Sequence, residues 1–479
     1  MKPSRREFLA RSSCTALGIA AMTSGLEKLG LIDAYANAAI SPLAPTNYRA
    51  LVCIFLNGGN DSNNMIVPTD ATGYGDYSSA RAASGLAISQ GTLQQLPVTP
   101  AAVGTEFGFH PSLPELRTLF TQNRLAVVCN VGPLVEPLTK AQYQSGGKRP
   151  YQLFSHSDQV TQWLTARADT KAQVGWGGRA GDFASPLNGT SNFPMITSIT
   201  GSSIFNIGLI GRPLAISPAP TTLPNVLALS GFNATPESVA RRTSFNNLRT
   251  YDLSQDLIEA TSVGTQQALD VSASFSTDPV PATVFPNTTL GNQLKQVAKI
   301  IRLNQTSPSM NLNRQIFFVS LGGFDTHSNQ LASQVSLFTQ LSQAMKAFYD
   351  ETVAIGVPDR VTTFTLSDFG RTLQPSGSGA GVVGSDHAWG SHQFVMGNAV
   401  SRGDFFGVAP PGRSVFPVLK TGASGPDDTD TRGRWIPTVA VEQYAATLAS
   451  WYGVPNGDLA TVFPLLSRFT PGNLGFLLP

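Results

Sequence analysis

The five histidines of this 479-residue chain are its first candidates for chemistry, because four of them lie near an aspartate or a glycine-rich turn. They are His110, His156, His327, His387 and His392. A lone histidine is usually just a hydrogen-bonded polar residue, but these shared surroundings favour a site. Imidazole nitrogens and carboxylate oxygens suit Zn²⁺, Mn²⁺ or Mg²⁺ better than copper or an iron–sulfur cluster. The pattern therefore predicts a divalent metal site.

Three aspartates follow apolar runs that we interpret as strands. Run 51–56 leads to Asp61, run 316–321 to Asp325 and His327, and run 361–366 to Asp368. In open α/β sheets, ligands bind at the carboxyl ends of the strands, so these side chains are expected at one edge. Asp386 and His387 come just before a further run at 394–396. The competing interpretation is that Asp61 and Asp368 cap helices and that the Gly-Gly pairs only form turns.

Predicted strands and predicted helices alternate along the chain and would hold these residues in place. Nearly continuous apolar runs at 51–56, 125–131, 316–321, 361–366 and 394–396 predict strands buried on both faces, which is typical of a parallel sheet. Apolar residues recur at helical spacing within 290–301, 331–348 and 441–451, and the last stripe ends before Gly453. Strands alternating with helices predict a three-layer α/β fold.

The middle of the chain differs from its flanks. Residues 185–285 are rich in Ser, Thr, Asn and Pro, with short apolar pieces and one expected helix around 248–258. We interpret this segment as an insertion, a cap or elaborated loop over the sheet edge, within a single domain that spans 39–479.

Composition excludes several classes of protein. Hydrophobic residues make up 41% and charged residues 13% of the chain, which does not fit a disordered protein or a coiled coil. Beyond residue 38, cationic and acidic side chains are equal in number, and there is no basic cluster of the kind that binds nucleic acid. Cys53 and Cys129 lie in apolar runs and are expected to be buried free thiols.

The first 38 residues are expected to be an export signal. The run Ser4-Arg5-Arg6-Glu7-Phe8-Leu9 resembles the twin-arginine signal, and Ala36-Asn37-Ala38 provides small residues for cleavage. This predicts handling by the twin-arginine translocase and a periplasmic or extracellular location. No other apolar run reaches about 18 residues, so stable membrane insertion is not expected.

An ordered series of motifs carries a resemblance to a known family. Its members are Gly58-Gly59-Asn60-Asp61, Ser155-His156-Ser157-Asp158, Gly175-Trp176-Gly177-Gly178-Arg179, Gly322-Gly323-Phe324-Asp325-Thr326-His327, Ser367-Asp368-Phe369-Gly370-Arg371-Thr372, Ser385-Asp386-His387 and Gly433-Arg434-Trp435-Ile436-Pro437. The chain resembles the exported bacterial DUF1501 group, which is similar to the alkaline phosphatase-like superfamily. The resemblance implies a three-layer αβα alkaline phosphatase-like sheet that holds one or two divalent metal ions per chain.

The resemblance also implies a ligand set: Asp61, Asp325, His327, Asp368 and His387. Phe369 stands where the superfamily has a histidine, so the metal position shared with Asp61 would lack an imidazole. A second register would make Asp386 and His387 the pair and His392 the final ligand. In the first register, Asp386, His392 and His156 are residues that orient the ligands, or are alternative ligands themselves.

The same resemblance implies a Ser or Thr nucleophile at a helix start, where a metal lowers its pKa. The candidates are Ser157, Ser155 and Ser62, although each is also a natural helix cap. Arg371 and Arg179 could bind a phosphate or sulfate oxygen pair through the guanidinium fork, although an ordinary exposed arginine is the competing interpretation. These residues predict a metal-dependent hydrolase of phosphate or sulfate esters, with attack by a serine or water. The alternative is a non-catalytic exported binding or surface protein on the same scaffold.

Overall fold

The structure is a computed structural model, and it describes residues 47–189, 191, 193–211, 213–227, 234–377 and 383–479. The predicted export signal lies outside the described residues. Within them, no helix is both long and apolar enough to cross a membrane.

The strands are β1 (Arg49–Asn57), β2 (Ile66–Pro68), β3 (Gln94–Gln95), β4 (Phe107–Phe109), β5 (Leu125–Gly132), β6 (Ile196–Ser198), β7 (Leu214–Ala215), β8 (Arg314–Gly322), β9 (Val361–Ser367), β10 (Arg371–Ser376), β11 (Gly384–His387), β12 (Ser391–Met396), β13 (Phe405–Phe406) and β14 (Val439–Ala440). The helices are α1 (Ser62–Met65), α2 (Ala71–Arg81), α3 (Pro114–Thr121), α4 (Lys140–Gln144), α5 (His156–Thr165), α6 (Trp176–Ala184), α7 (Leu223–Val226), α8 (Pro236–Arg249), α9 (Asp256–Ser274), α10 (Thr289–Thr306), α11 (Gln330–Ile355), α12 (Val441–Tyr452) and α13 (Leu459–Val462). Each of the five predicted strands lies within one of these elements.

The main sheet has the strand order β13-β5-β12-β9-β1-β8-β6-β7, with β14 beside β5. Strand β1 is at its centre and pairs in parallel with both β8 and β9. The expectation of a parallel sheet is wrong for β12, which runs antiparallel to β5 and β9. A buried strand is apolar on both faces whichever way it runs, so the 394–396 run carried no information on direction.

Side chains of β1 alternate between two apolar cores. Val52, Ile54 and Leu56 belong to the core on one face of the sheet, together with residues of α10 and α11. Leu51, Cys53 and Phe55 belong to the core on the other face, together with residues of α6 and α12. Because a strand repeats every two residues, its unbroken apolar run serves both faces, and the predicted three-layer α/β class is confirmed.

The predicted helices at 290–301, 331–348 and 441–451 lie within α10, α11 and α12. Helix α12 ends at Gly453, whose φ of 118° lies in the left-handed region that the sequence pattern predicted for it. Cys53 and Cys129 are buried free thiols, as expected.

The region 185–285 provides strands of the main sheet as well as helices and loops outside it. Strand β6 pairs with β8, and β7 extends the sheet beyond β6. The expected helix around 248–258 is wrong, because α8 ends at Arg249 and α9 begins at Asp256. The apolar residues of that stretch are exposed, Tyr251 by 88% and Leu257 by 60%, so they are not the buried stripe of one helix. The division into one domain with an insertion stays a prediction.

Candidate metal centre

Loops after β1, β8 and β9 meet at one edge of the main sheet. The backbone N–H of Gly58 donates to Oδ1 of Asp368 at 2.8 Å, and the N–H of Phe324 donates to the carbonyl of Asn57 at 3.2 Å. Gly58 has a φ of +116°, and a Cβ there would lie 2.4 Å from the backbone nitrogen of Asp325. Glycine at this position therefore allows the loops that carry Asp325 and Asp368 to approach closely.

Three imidazoles converge on this edge. Nε2 of His387 lies 3.1 Å from Nε2 of His156 and 2.9 Å from Nε2 of His327. Oδ1 of Asp325 lies 3.4 Å from Nε2 of both His156 and His387 and 3.0 Å from Nε2 of His327. Ligand atoms of His156, Asp325 and His387 all lie within 4.8 Å of one another.

The tautomers of two of these histidines follow from their Nδ1 partners. Nδ1 of His156 lies 2.7 Å from Oδ2 of Asp368, and Nδ1 of His387 lies 2.8 Å from the carbonyl of Phe154. A carboxylate and a carbonyl only accept hydrogen bonds, so each Nδ1 carries a proton. In the neutral rings, both Nε2 atoms therefore carry a lone pair, and these two atoms lie 3.1 Å apart. Such lone pairs repel unless a proton or a cation lies between them.

The donor set fits a divalent cation. Two nitrogens bound to zinc at 2.0–2.1 Å in a tetrahedron lie about 3.3 Å apart, close to the spacing of the His156 and His387 nitrogens. Imidazoles whose other nitrogen donates to a carboxylate or a backbone carbonyl are typical zinc ligands. The fit therefore rests on His156, Asp325 and His387, with Asp368 and the Phe154 carbonyl orienting the two rings.

His327 lies at the outer side of the cluster and is 46% exposed. Its Nδ1 is 3.4 Å from Oδ1 of Asp386, and Oδ2 of Asp386 pairs with the guanidinium of Arg432 at 2.5 Å. Nδ1 of His327 thus faces a carboxylate, as Nδ1 of His156 does, but at a longer distance. It can complete the ligand set or face the bound substrate.

Burial and charge set the protonation of the site. Burial lowers the pKa of His387, and the nearby His156 and Arg371 lower it further. Burial alone would raise the pKa of Asp325, but its hydrogen bond to Arg371 and the charge of that guanidinium outweigh burial and lower it. Neutral imidazole and ionised carboxylate are the states that bind metals. Phe369 packs against the rings of both His156 and His387.

The structure brings Asp325, His327, Asp368 and His387 of the predicted ligand set together and places Asp61 elsewhere. Both oxygens of Asp61 pair with the buried guanidinium of Arg81, at 2.7 and 3.1 Å. Oδ2 also accepts from Gln330 at 2.5 Å, and Oδ1 accepts from the N–H of Asn63 as a helix cap. These contacts match the competing interpretation of Asp61, and no sequence signal pointed to Arg81.

The remaining histidines lie away from the cluster. His392 is buried, accepts from the N–H of Asn130 and stacks on Phe416, and burial lowers its pKa to about 3. His110 is buried against Phe338, and burial lowers its pKa to about 4. His156, which the sequence suggested only as a residue that orients ligands or replaces one, is a member of the cluster.

The candidate serines fall in two places. Ser157 lines an open pocket of about 450 Å³ together with His156, Asp325 and Asp368. Oγ of Ser155 donates to Asp158 at 2.7 Å, and Oγ of Ser157 lies 3.4 Å from the same carboxylate oxygen. Ser62 is buried in α1, directly after Asp61, and does not line this pocket.

The two candidate arginines already have protein partners. Arg371 donates to the carbonyls of Gly58, Gly59 and Ser385 and pairs with Asp325. The three guanidinium nitrogens of Arg179 donate to the carbonyls of Val462, Val174 and Thr165. Neither side chain lines the pocket.

A family model described as "Protein of unknown function (DUF1501)" matches residues 309–413. The resemblance to this family is confirmed for that segment, which contains Asp325, His327, Asp368 and His387. No curated protein sequence matches the chain.

Solved structures similar to this chain share little sequence with it. The zinc complex of the periplasmic domain of EcEptC from Escherichia coli is 12% identical, with a TM-score of 0.30 over 75% of this chain and 78% of that one. The PsFucS1 sulfatase from Pseudoalteromonas sp. is 9% identical, with a TM-score of 0.32 over 99% and 74%. The lipoteichoic acid synthase LtaP from Listeria monocytogenes is 8% identical, with a TM-score of 0.30 over 87% and 80%. At these scores the likeness carries no argument about the chemistry of this chain.

Proposed function

We propose that this chain is an exported, metal-dependent hydrolase of phosphate or sulfate esters. The observation that carries the proposal is the close approach of Nε2 of His156 and Nε2 of His387, which lie 3.1 Å apart beside the Asp325 carboxylate. Holding these nitrogens together without a proton or a cation between them is unfavourable, because the lone pairs and the carboxylate are all negative in potential. The proposed ion is zinc or another divalent cation.

A bound divalent cation would stabilise negative charge on the ester and lower the pKa of a serine or water nucleophile. The residues of the chain prepare the site for it. Asp368 and the Phe154 carbonyl keep the Nδ1 protons in place, so that Nε2 of each ring is free to bind. Ser157 is the proposed nucleophile, because it alone among the three candidate serines lines the pocket beside the cluster. Asp158 is within reach to accept its proton.

The test is metal analysis of purified protein, followed by turnover of nitrophenyl phosphate and sulfate esters with and without a chelator. We expect bound metal in the wild type, chelator-sensitive turnover, and loss of both in His156→Asn and His387→Asn. His392→Asn is the matched control, since an amide oxygen can still accept from Asn130 and the residue lies outside the cluster. Wild-type protein that binds no divalent metal would refute the proposal.

A metal-binding surface protein without hydrolase activity is the second candidate. The observation that favours it is the pocket lining, which contains no lysine or arginine among the described residues to hold an ester anion. Stoichiometric metal without turnover of any ester would support this candidate. Ser157→Ala separates the two, because it should abolish turnover in a hydrolase while leaving metal content unchanged.

A further inference from the structure

Arg371 is the first residue of β10, and its side chain is fully buried at the edge of the metal site. Nε donates to the carbonyl of Gly59 at 3.0 Å, and one terminal nitrogen donates to the carbonyl of Ser385 at 2.9 Å. The other terminal nitrogen donates to the carbonyls of Gly58 and Phe324, at 2.6 and 3.1 Å. One guanidinium therefore connects three separate segments, those after β1 and β8 and the strand β11.

The same terminal nitrogen also pairs with Oδ1 of Asp325. This is the carboxylate oxygen that faces the Nε2 atoms of His156, His327 and His387, at 3.4, 3.0 and 3.4 Å. The Asp325 side chain is 49% exposed, so packing alone does not hold its rotamer. The guanidinium is buried and held by its carbonyl acceptors, so its ion pair with Asp325 can fix the orientation of the exposed carboxylate.

We propose that Arg371 is a positioning residue that aims the Asp325 carboxylate at the metal, rather than a residue that binds the substrate anion. This inference rests on the proposed function, because it requires the metal site. Every nitrogen of the guanidinium already donates to a protein acceptor, and the side chain has no exposed surface to offer a substrate. A planar guanidinium can hold several acceptors at fixed angles, whereas a lysine ammonium on a flexible stem cannot.

The experiment measures zinc affinity of the full-length exported protein by competition with a chromogenic chelator. Residues that orient metal ligands typically contribute about 10- to 100-fold in affinity, so Arg371→Met should weaken zinc binding by at least about 10-fold. Arg179→Met is the matched control. It also removes a guanidinium, here half-buried, that donates to three carbonyls, but these acceptors all lie outside the cluster. We expect its zinc affinity to stay within about 3-fold of the wild type.

A double-mutant cycle with Asp325→Asn separates positioning from a general loss of stability. If Arg371 acts through Asp325, Arg371→Met should change zinc affinity by less than about 2-fold in the Asp325→Asn background. Equal losses in both backgrounds would overturn the inference. The visible spectrum of the cobalt-loaded protein is a second readout, and we expect it to change in Arg371→Met but not in Arg179→Met.

Arg371→Lys keeps the charge and serves if Arg371→Met does not fold. It should fold with the wild-type circular dichroism spectrum and still lose about 10-fold in zinc affinity, because the ammonium cannot hold all the acceptors. Wild-type affinity in both Arg371 variants would overturn this inference and leave the proposed function intact. A wild-type protein that binds neither zinc nor any other divalent metal would overturn both.

Discussion

Glu442 offers the sharpest test of the structure, because it is a carboxyl group with no partner in the core. It lies in the first turn of α12 and has no exposed surface. Neither of its oxygens has a hydrogen-bond partner among the described residues. Burial raises the pKa of Glu442 from 4.5 to about 8, and the charges of Arg167 and Arg179 offset only part of that effect.

The sign of the effect on stability follows from the raised pKa. Below pH 4.5, Glu442 is protonated in both the folded and unfolded states and has no effect. As pH rises towards 8, the unfolded state loses the proton and the folded state keeps it, so the free energy of unfolding falls. One pKa unit corresponds to about 1.4 kcal/mol, so the loss between pH 5 and pH 8 is about 3 kcal/mol.

The perturbation is Glu442→Gln, which removes the ionisation and keeps the shape. We expect its free energy of unfolding, relative to the wild type, to increase by about 3 kcal/mol from pH 5 to pH 8 in urea titrations at matched ionic strength. Glu106→Gln, at an exposed position, is the control and should show a difference of less than about 0.5 kcal/mol across the same range. A pH-independent difference for Glu442→Gln would contradict this prediction, because it would mean that Glu442 ionises in the folded state as easily as in the unfolded chain.

Two further predictions concern the loops that hold the metal site. Asp368→Asn should weaken zinc affinity by about 10- to 100-fold in chelator competition, because the amide no longer fixes the Nδ1 proton of His156; unchanged affinity would contradict the assigned tautomer. Gly58→Ala should lower the free energy of unfolding by about 1–3 kcal/mol, because the residue has a φ of +116° and its Cβ would lie 2.4 Å from the Asp325 nitrogen. Gly75→Ala, where a Cβ would meet nothing within 4 Å, is its control and should unfold at nearly the wild-type urea concentration.

Much of the fold could be predicted because its signals are local. Each predicted strand is a run of apolar residues long enough to cross a buried sheet, and each predicted helix shows a repeat of three and four residues. The direction of β12 could not be predicted, because direction depends on its neighbours β5 and β9. The helix expected around 248–258 failed because exposed apolar residues there mimic a buried stripe.

Residues of the candidate site also fall into two groups: those that local sequence patterns predicted and those that they did not. Asp325, His327 and Asp368 follow parallel strands, and the rule that such strands deliver their carboxyl ends to one edge predicted that they lie close together. His387 precedes β12 and lies at the same edge because β12 runs antiparallel to its neighbours. Asp61 follows the same rule, but α2 supplies Arg81, whose guanidinium occupies both carboxylate oxygens. A pairing with a residue on another element leaves no trace in the local sequence.

Local sequence is enough to identify the residue types that can bind a metal and the strand ends where they lie, because composition and apolar periodicity show both. It does not show that His156 enters the cluster, that Arg371 pairs with Asp325 or that Asp61 pairs with Arg81, which follow from the packing of the folded chain. The physical reason is that each choice depends on which acceptor lies within hydrogen-bond reach after the elements pack. The partners in each of these contacts are far apart in the chain, so local sequence does not show which of them will meet.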